Sequence, residues 1–399
     1  MSGRLLRIFL PVDRFTAADR RITLTIWIAG LVQGFAQSQV SATLPFTRAG
    51  LGLTEAQMSL IIGLARLAAF AALPLGWFAD RHGRRRPFLI GVALVLAGGT
   101  LAGTVVAAWQ FGLFHAVLRT GTAAMAGLGV VILAETVSPS VRAYAISFYG
   151  AAVSLGAGMA ILALPLADGG GDAWRTSHLI VSVGILLLPA LIRRVPETTG
   201  GHPVDGLWSD LAHGEWASRF WKVAIAGFLA SAYGTFVTSF TTERLVAQIG
   251  LDTGTTVWLL LAGGTVGGLG FFIGGRLADH LGRRVTSIAA LTLGLGGGIA
   301  LYTATSTPAL VAAVFLSSFG TFALVPAGGA HRAELFPTEL RSRANTAAAN
   351  FTLAGASAGL LAGTATIDLL GLSGTVYVLA AGAGVAGLIT ATLPETLRR

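Results

Sequence analysis

The chain has 399 residues, of which 54% are hydrophobic and 11% charged, with 54 glycines, no cysteine and a formal net charge of +9. A soluble globular domain carries about 25% charged residues, so this composition excludes an ordinary water-soluble fold. The absence of cysteine excludes disulfides and thiolate metal sites. Apolar stretches of twenty or more residues recur throughout, as in a multi-pass membrane protein whose solvent is the bilayer.

In chain order, the first twenty-one residues carry five arginines and two aspartates. The apolar stretch behind them is too long for the core of a cleavable signal and lacks a cleavage site. Twelve membrane-spanning helices are expected, roughly 20–46, 54–79, 87–107, 108–137, 141–166, 175–193, 219–242, 254–278, 285–303, 307–336, 342–367 and 373–393. The longest polar interval, 194–218, reads as a linker between two six-helix halves, 1–193 and 219–399. If both termini lie inside, twenty-two arginines and lysines fall on the inner side. Only Arg48, Arg175 and Arg244 fall outside. That asymmetry favours both termini in the cytoplasm of a cell inner (plasma) membrane. The positive charge sits in short links rather than on one basic face, which argues against nucleic acid.

The densest charge follows span 2, in GWFADRHGRRRP (Gly76 to Pro87), and is repeated after span 8 in GGRLADHLGRRV (Gly274 to Val285). Asp80 and Asp279 are 199 residues apart, as are Gly76 and Gly275, Gly83 and Gly282, and Arg84 and Arg283. AETVSPSVRA faces AELFPTELRS at the same offset, pairing Glu135 with Glu334 and Arg142 with Arg341. VPETTG at Val195 meets LPETLRR at Leu393 at an offset of 198. The halves are therefore a parallel structural repeat.

These residues carry a resemblance. The pattern G-x-x-x-D-R-x-G-R-R, its copy in the second half, the two E…R pairs and the two PET motifs resemble the major facilitator superfamily over nearly the whole chain. Within it they are similar to the sugar porters and the organic-acid and organic-ion branches. The resemblance implies an all-α fold of twelve spans, a small-molecule substrate and no cofactor. It also implies a monomer embedded in lipid, and an inner gate built from Asp80, Arg81, Arg84, Arg85, Glu135 and Arg142 with Asp279, Arg283, Arg284, Glu334 and Arg341. The fold would set the span 2–3 link beside the start of span 11 near Arg341. Gly83 and Gly282 would let the links turn tightly. Setting topology is the plainer reading of the arginines, but it does not explain an acid repeated at a fixed place.

Two arginines lie within spans. Arg66 is eleven residues into span 2 from Glu55, and Arg119 eleven into span 4 from Ala108, each about 16 Å deep. A centred arginine costs about 2.5–3.5 kcal/mol, and no Asp or Glu lies at that depth in any predicted span. An anionic substrate would supply the missing charge; hydrogen bonds to neighbouring helices are the structural alternative. His115 shares a face with Arg119. In span 1, QGFAQSQVSATLP is similar to the D-G-x-D start of aromatic-acid symporters, but Gln33 and Ala36 replace both acids. Span 1 therefore lacks the acids that would carry a coupling proton, which leaves facilitated diffusion, exchange, or symport with a coupling proton through His115 or Glu135. Gln33 and Gln37 could bind substrate or join helices. Tyr149, Tyr233, Thr238, Trp258, Asn345 and Asn350 are further candidates for the cavity.

The function expected is secondary transport of a small polar organic solute, an organic anion or sugar-like metabolite, by alternating access. The alternative is a multidrug or metabolite efflux pump. Drug–proton antiporters of the superfamily carry G-x-x-x-G-P-x-x-G-G in span 5. Here Gly150, Gly156 and Gly158 have another spacing with no proline among them. An enzyme would need a nucleophile with its base, or a metal cluster, at membrane depth. The seven histidines lie far apart.

Overall fold

The computed structural model describes residues 15–198 and 213–397. Most of the expected linker (199–212) and the terminal arginines Arg4, Arg7, Arg14, Arg398 and Arg399 lie outside the described residues.

The described chain is helical throughout. Helix α1 (Ala17–Ala42) starts at a capping box in which Thr16 and Asp19 satisfy each other's backbone N–H groups. A short helix, Leu44–Gly50, leads to α2 (Glu55–His82), which tightens to 3-10 geometry at Ala68–Ala72. Then follow α3 (Arg85–Leu101), α4 (Ala108–Thr136), α5 (Arg142–Leu162) and α6 (Trp174–Arg194). The second set comprises α7 (Ala217–Thr242), α8 (Thr253–Leu281), α9 (Arg283–Thr303), α10 (Thr307–Glu334) and α11 (Thr338–Ala391).

Nine helical segments among the described residues are long and apolar enough to cross a membrane. The differences from the expected spans have local causes. The apolar run of α1 is diluted by Gln33, Gln37 and Gln39. Helix α3 has only 17 residues. Expected spans 11 and 12 run together in α11, broken at Gly371 where φ is +67°.

The chain packs as two compact units: the described residues of Met1–Thr43 with Ala68–Val204, and those of Leu44–Leu67 with Asp205–Arg399. The segment Leu44–Leu67 comes from the first half of the sequence yet packs in the second unit. There Ser59 donates to the Leu360 carbonyl at 2.6 Å, and Gly63 lies against Leu360 and Leu361.

Glycines set the closest helix contacts within each unit. A Cβ on Gly156 (α5) would sit 2.1 Å from the Leu31 carbonyl of α1. One on Gly355 (α11) would sit 2.1 Å from the Phe228 carbonyl of α7. Gly98 would meet α4, and Gly297 would meet α10, at 2.5 and 2.2 Å. Both glycine pairs recur at the 199-residue offset of the charge motifs. Lipid tails are as apolar as Leu, so spans gain little from hydrophobic transfer and associate by such close approach. Around these contacts the first unit packs Ile26, Phe88, Val95, Leu118, Met125 and Ile132.

Candidate functional site

Each unit carries a copy of the repeated charge cluster, centred on one arginine. In the first, α2 stops at Gly83, whose φ of +96° turns the chain. Arg84 then folds back, nearly buried. Its Nη2 lies 3.6 Å from Asp80 Oδ1 and 3.1 Å from Glu135 Oε1 at the end of α4. In the second, Gly282 (φ +115°) repeats the turn. Arg283 there spends its whole fork: Nη2 lies 3.1 Å from Asp279, Nε 3.2 Å from Glu334, and Nη1 donates to the Ala278 carbonyl at 2.8 Å. Arg84 Nε and Nη1 find no such partners. The acids are half-wet, so each pair is worth about 1 kcal/mol or less.

Other members of the expected gate are placed differently. Arg81 lies over the Trp77 ring, 3.7 Å from its centroid, rather than on Asp80. Arg85 uses its backbone N–H on Glu197 and its guanidinium on the Ile192 carbonyl. Arg284 bonds the Leu393 carbonyl. Among the described residues, Arg142 and Arg341 join no ion pair. A side chain on Gly76 would meet open space, and on Gly275 only Pro326 at 3.7 Å.

Sequence reasoning left the PET glutamates without a role. Glu395 accepts from the backbone N–H groups of Arg283 (2.7 Å) and Arg284 (3.1 Å), capping the start of α9. Glu197 accepts from Arg85 N–H at 3.2 Å at the start of α3. A Cβ on Gly83 would sit 2.2 Å from Glu197, and on Gly282 2.5 Å from Glu395, so the glycine also makes room for the cap. Burial pushes the Glu395 carboxyl up. The N–H groups of Leu397, Arg283, Thr396 and Arg284 outweigh it and hold the group below the ordinary carboxylate range. A depressed value means the cap stabilises fully above the unfolded range, near about 4.3, and is lost as pH falls through the folded value. Glu395→Ala should therefore cost about 1 kcal/mol at neutral pH. The gap in melting temperature from the wild type should close in acid; a gap that persists there contradicts the assignment.

At membrane depth, the first unit brings Arg119, His115 and Gln37 together. Arg119 Nε donates to His115 Nε2, and Nη2 to the Gln37 carbonyl, both at 3.3 Å. Gln33 is engaged in helix packing: its amide donates to the Thr122 carbonyl at 3.1 Å and its oxygen accepts the Tyr149 hydroxyl at 2.5 Å. Thus Gln33 and Tyr149 tie α1 to α4 and α5.

Arg66 lies in the second unit. Its Nη2 reaches Ser239 Oγ at 3.5 Å, its Nε is buried with no hydrogen-bond partner, and no acid among the described residues pairs with it. Tyr233 donates to the Leu295 carbonyl at 2.8 Å. Trp258 is 74% exposed and does not face the unit's interior. Asn345 and Asn350 are half-buried on α11. A cavity of about 490 Å³ opens within this unit between α7, α9, α10 and α11. Tyr233 and Thr238 line it, with Ser317, Thr321 and Arg332, which sequence reasoning missed. Hydroxyl residues spaced one turn apart were the available signal on α10. A further omission is Glu243, fully buried against Arg48.

Two helical units, apolar spans and duplicated charge clusters define a multi-pass membrane protein built by internal repetition. The model of the Major Facilitator Superfamily matches residues 26–302 and 224–398, and the chain belongs to that family. It is a membrane transporter rather than an enzyme. It is 25% identical over 391 residues to the "Probable 4-methylmuconolactone transporter" of Cupriavidus pinatubonensis, covering 92% of this chain and 88% of that one. The 3-(3-hydroxy-phenyl)propionate transporter of Escherichia coli is 29% identical over 46% of each chain. Facilitated glucose transporter member 10 of Danio rerio is 26% identical over 34% of this chain, which spans only 27% of that protein. In fold it is similar to a bacterial homologue of the human lysosomal transporter Spinster in an inward-facing, unoccupied conformation. The TM-score is 0.77 at 16% identity, covering 95% of this chain and 98% of that one.

Proposed function

We propose that this protein is a secondary transporter of a small organic anion, working by alternating access in the cell inner membrane. In this reading it has twelve spans in two halves, 1–193 and 219–399, joined by a cytoplasmic linker at 194–218, with both termini in the cytoplasm. Positive charge on the inner links supports the orientation. The Arg84 and Arg283 clusters then lie on the cytoplasmic side as the two parts of an inner gate. Weak, half-wet pairs suit a gate that must open and close.

The observation that carries the substrate class is Arg66. It is a cation about 16 Å into a span, bonded to one neutral hydroxyl, with a buried Nε unmet. A carboxylate fits such a fork in charge and geometry. A relative named for transport of an aromatic carboxylate, 3-(3-hydroxy-phenyl)propionate, points the same way. The test is a thermal-shift screen of purified protein against small carboxylates, sugars and amphiphilic cations. A ligand that binds the folded state raises the melting temperature. Carboxylates should do so and neutral sugars should not; stabilisation by amphiphilic cations alone would favour the efflux reading.

A further inference from the structure

The two units are not equally filled. Their helix contacts match at the 199-residue offset: a Cβ on Gly121 would sit 2.6 Å from the Gly91 carbonyl, and one on Gly320 would sit 2.6 Å from the Ala290 carbonyl. With α3–α4 and α9–α10 aligned in this way, core residues of the first unit have counterparts in the second. Phe88, Val95, Leu118, Ile132 and Leu133 are buried core of the first unit. Their counterparts are Ser287, Gly294, Ser317, His331 and Arg332, and all five line the cavity of about 490 Å³. Where one unit has an aromatic ring and four branched aliphatic chains, the other has small or polar side chains around one shared space. An unfilled space in a core costs stability, and a ligand bound there offsets that cost.

The walls select the ligand. Thr238, Ser287, Thr321 and Thr390 each donate to the carbonyl four residues earlier on their own helix, at 2.7–2.9 Å, and Tyr233 donates to the Leu295 carbonyl. These hydroxyls have no proton left for a ligand, which serves a sugar poorly. An apolar chain needs none, and Val237, Leu291, Leu324 and Leu393 complete the lining. Charge enters at one end. Arg332 lies two residues before the end of α10, half-buried, and joins no ion pair among the described residues. No acid is among the residues that line the cavity. Along α10 the lining runs from Arg332 back to Ser317, about 22 Å of helix. The space is therefore long, apolar and cationic at one end. Its complement is a single-chain amphiphile with an anionic head, and one guanidinium fork matches one carboxylate. Such a head would stay hydrated at the membrane edge while its chain ran toward the bilayer middle.

We propose that the second unit holds a binding site for an alkyl carboxylate, its head on Arg332 and its chain running between α7, α9 and α10 as far as Ser317. Arg66 does not line this cavity, so the site is additional to the one proposed for the transported anion.

The probe is dodecanoate carrying a photoactivatable diazirine at the chain end, offered to the full chain in lipid nanodiscs, with labelled peptides mapped by mass spectrometry. Labels should fall on the cavity-lining residues of α7, α9 and α10. Excess dodecanoate should remove them and dodecanol, which lacks the charge, should not. Gly294→Val restores the side chain that the first unit carries at this place. A Cβ on Gly294 meets nothing closer than 3.6 Å, so the helices have room for it. The variant should lower cavity labelling by about tenfold or more, because overfilling a packed space is costly. In Arg332→Gln, dodecanoate and dodecanol should compete equally. Labels confined to exposed positions such as Trp258, or cavity labels that Gly294→Val leaves at the wild-type level, would overturn the proposal. So would cavity labels that dodecanol removes from the wild type as well as dodecanoate does. If Gly294→Val does not fold, Arg332→Gln decides: a preference for dodecanoate that survives there counts against the site. Failure of small carboxylates to stabilise the protein would leave this experiment untouched.

Discussion

Replacing Gly156 or Gly355 by leucine should leave little folded protein. Both positions face backbone rather than a side chain that could turn away: the Leu31 carbonyl and Phe35 N–H from α5, the Phe228 carbonyl from α11. A Cβ at 2.1 Å can be relieved only by moving the helices apart, which breaks α1–α5 or α7–α11 along its length. Overpacking by single methylenes costs about 1–3 kcal/mol, and a leucine adds four carbons. The loss should therefore consume most of the about 5–15 kcal/mol that holds a typical protein folded. The check is the yield of monodisperse protein by size exclusion after detergent extraction. Gly150→Leu, in the same α5 but facing open space, should match the wild type. Equal yields from Gly156→Leu and Gly150→Leu would contradict the close-packing account. Alanine at either interface glycine should do the same damage in smaller measure.

Arg66→Gln should abolish stabilisation by carboxylates without harming the empty protein. Glutamine is two bonds shorter and gives up only the long 3.5 Å contact with Ser239, while removing a charge at membrane depth relieves a cost of about 2.5–3.5 kcal/mol. The ligand-free melting temperature should therefore hold or rise. Truncating one partner of a buried charge pair typically costs about 2–5 kcal/mol, so affinity for the anion should fall by a factor of about 30 to several thousand. Arg66→Lys should lie between, because it keeps the charge and loses the planar fork. Calorimetric titration with melting curves separates the outcomes. A merely structural arginine would lower the ligand-free melting temperature and leave the relative anion affinity intact.

The repeat is legible in the sequence because its charged residues must sit at fixed places beside a glycine. Asp80, Gly83 and Arg84 can be aligned with Asp279, Gly282 and Arg283 by eye. What each arginine touches is not legible. Arg81, Arg84 and Arg85 stand in one short run, and only the fold turns one side chain onto Asp80 and Glu135, another onto Trp77 and the third onto the Ile192 carbonyl. The same limit explains Glu243. Hydropathy ends span 7 at Thr242, whereas the backbone runs on through a π turn that buries the next residue. Trp258 shows the converse error, since an aromatic ring in a span reads equally as cavity wall or lipid-facing surface. Gly98 and Gly156 share the 199-residue offset with Gly297 and Gly355, but close approach is a tertiary property, visible only once partner helices are known.

Transport itself tests the central claim most directly. Protein reconstituted in proteoliposomes would be offered 3-(3-hydroxyphenyl)propionate, a set of smaller carboxylates and xylose, each radiolabelled. The account predicts time-dependent uptake of at least one carboxylate, loss of that uptake in Arg66→Gln, and none of xylose. Uptake of xylose alone, or carboxylate uptake that Arg66→Gln leaves at the wild-type rate, would contradict it.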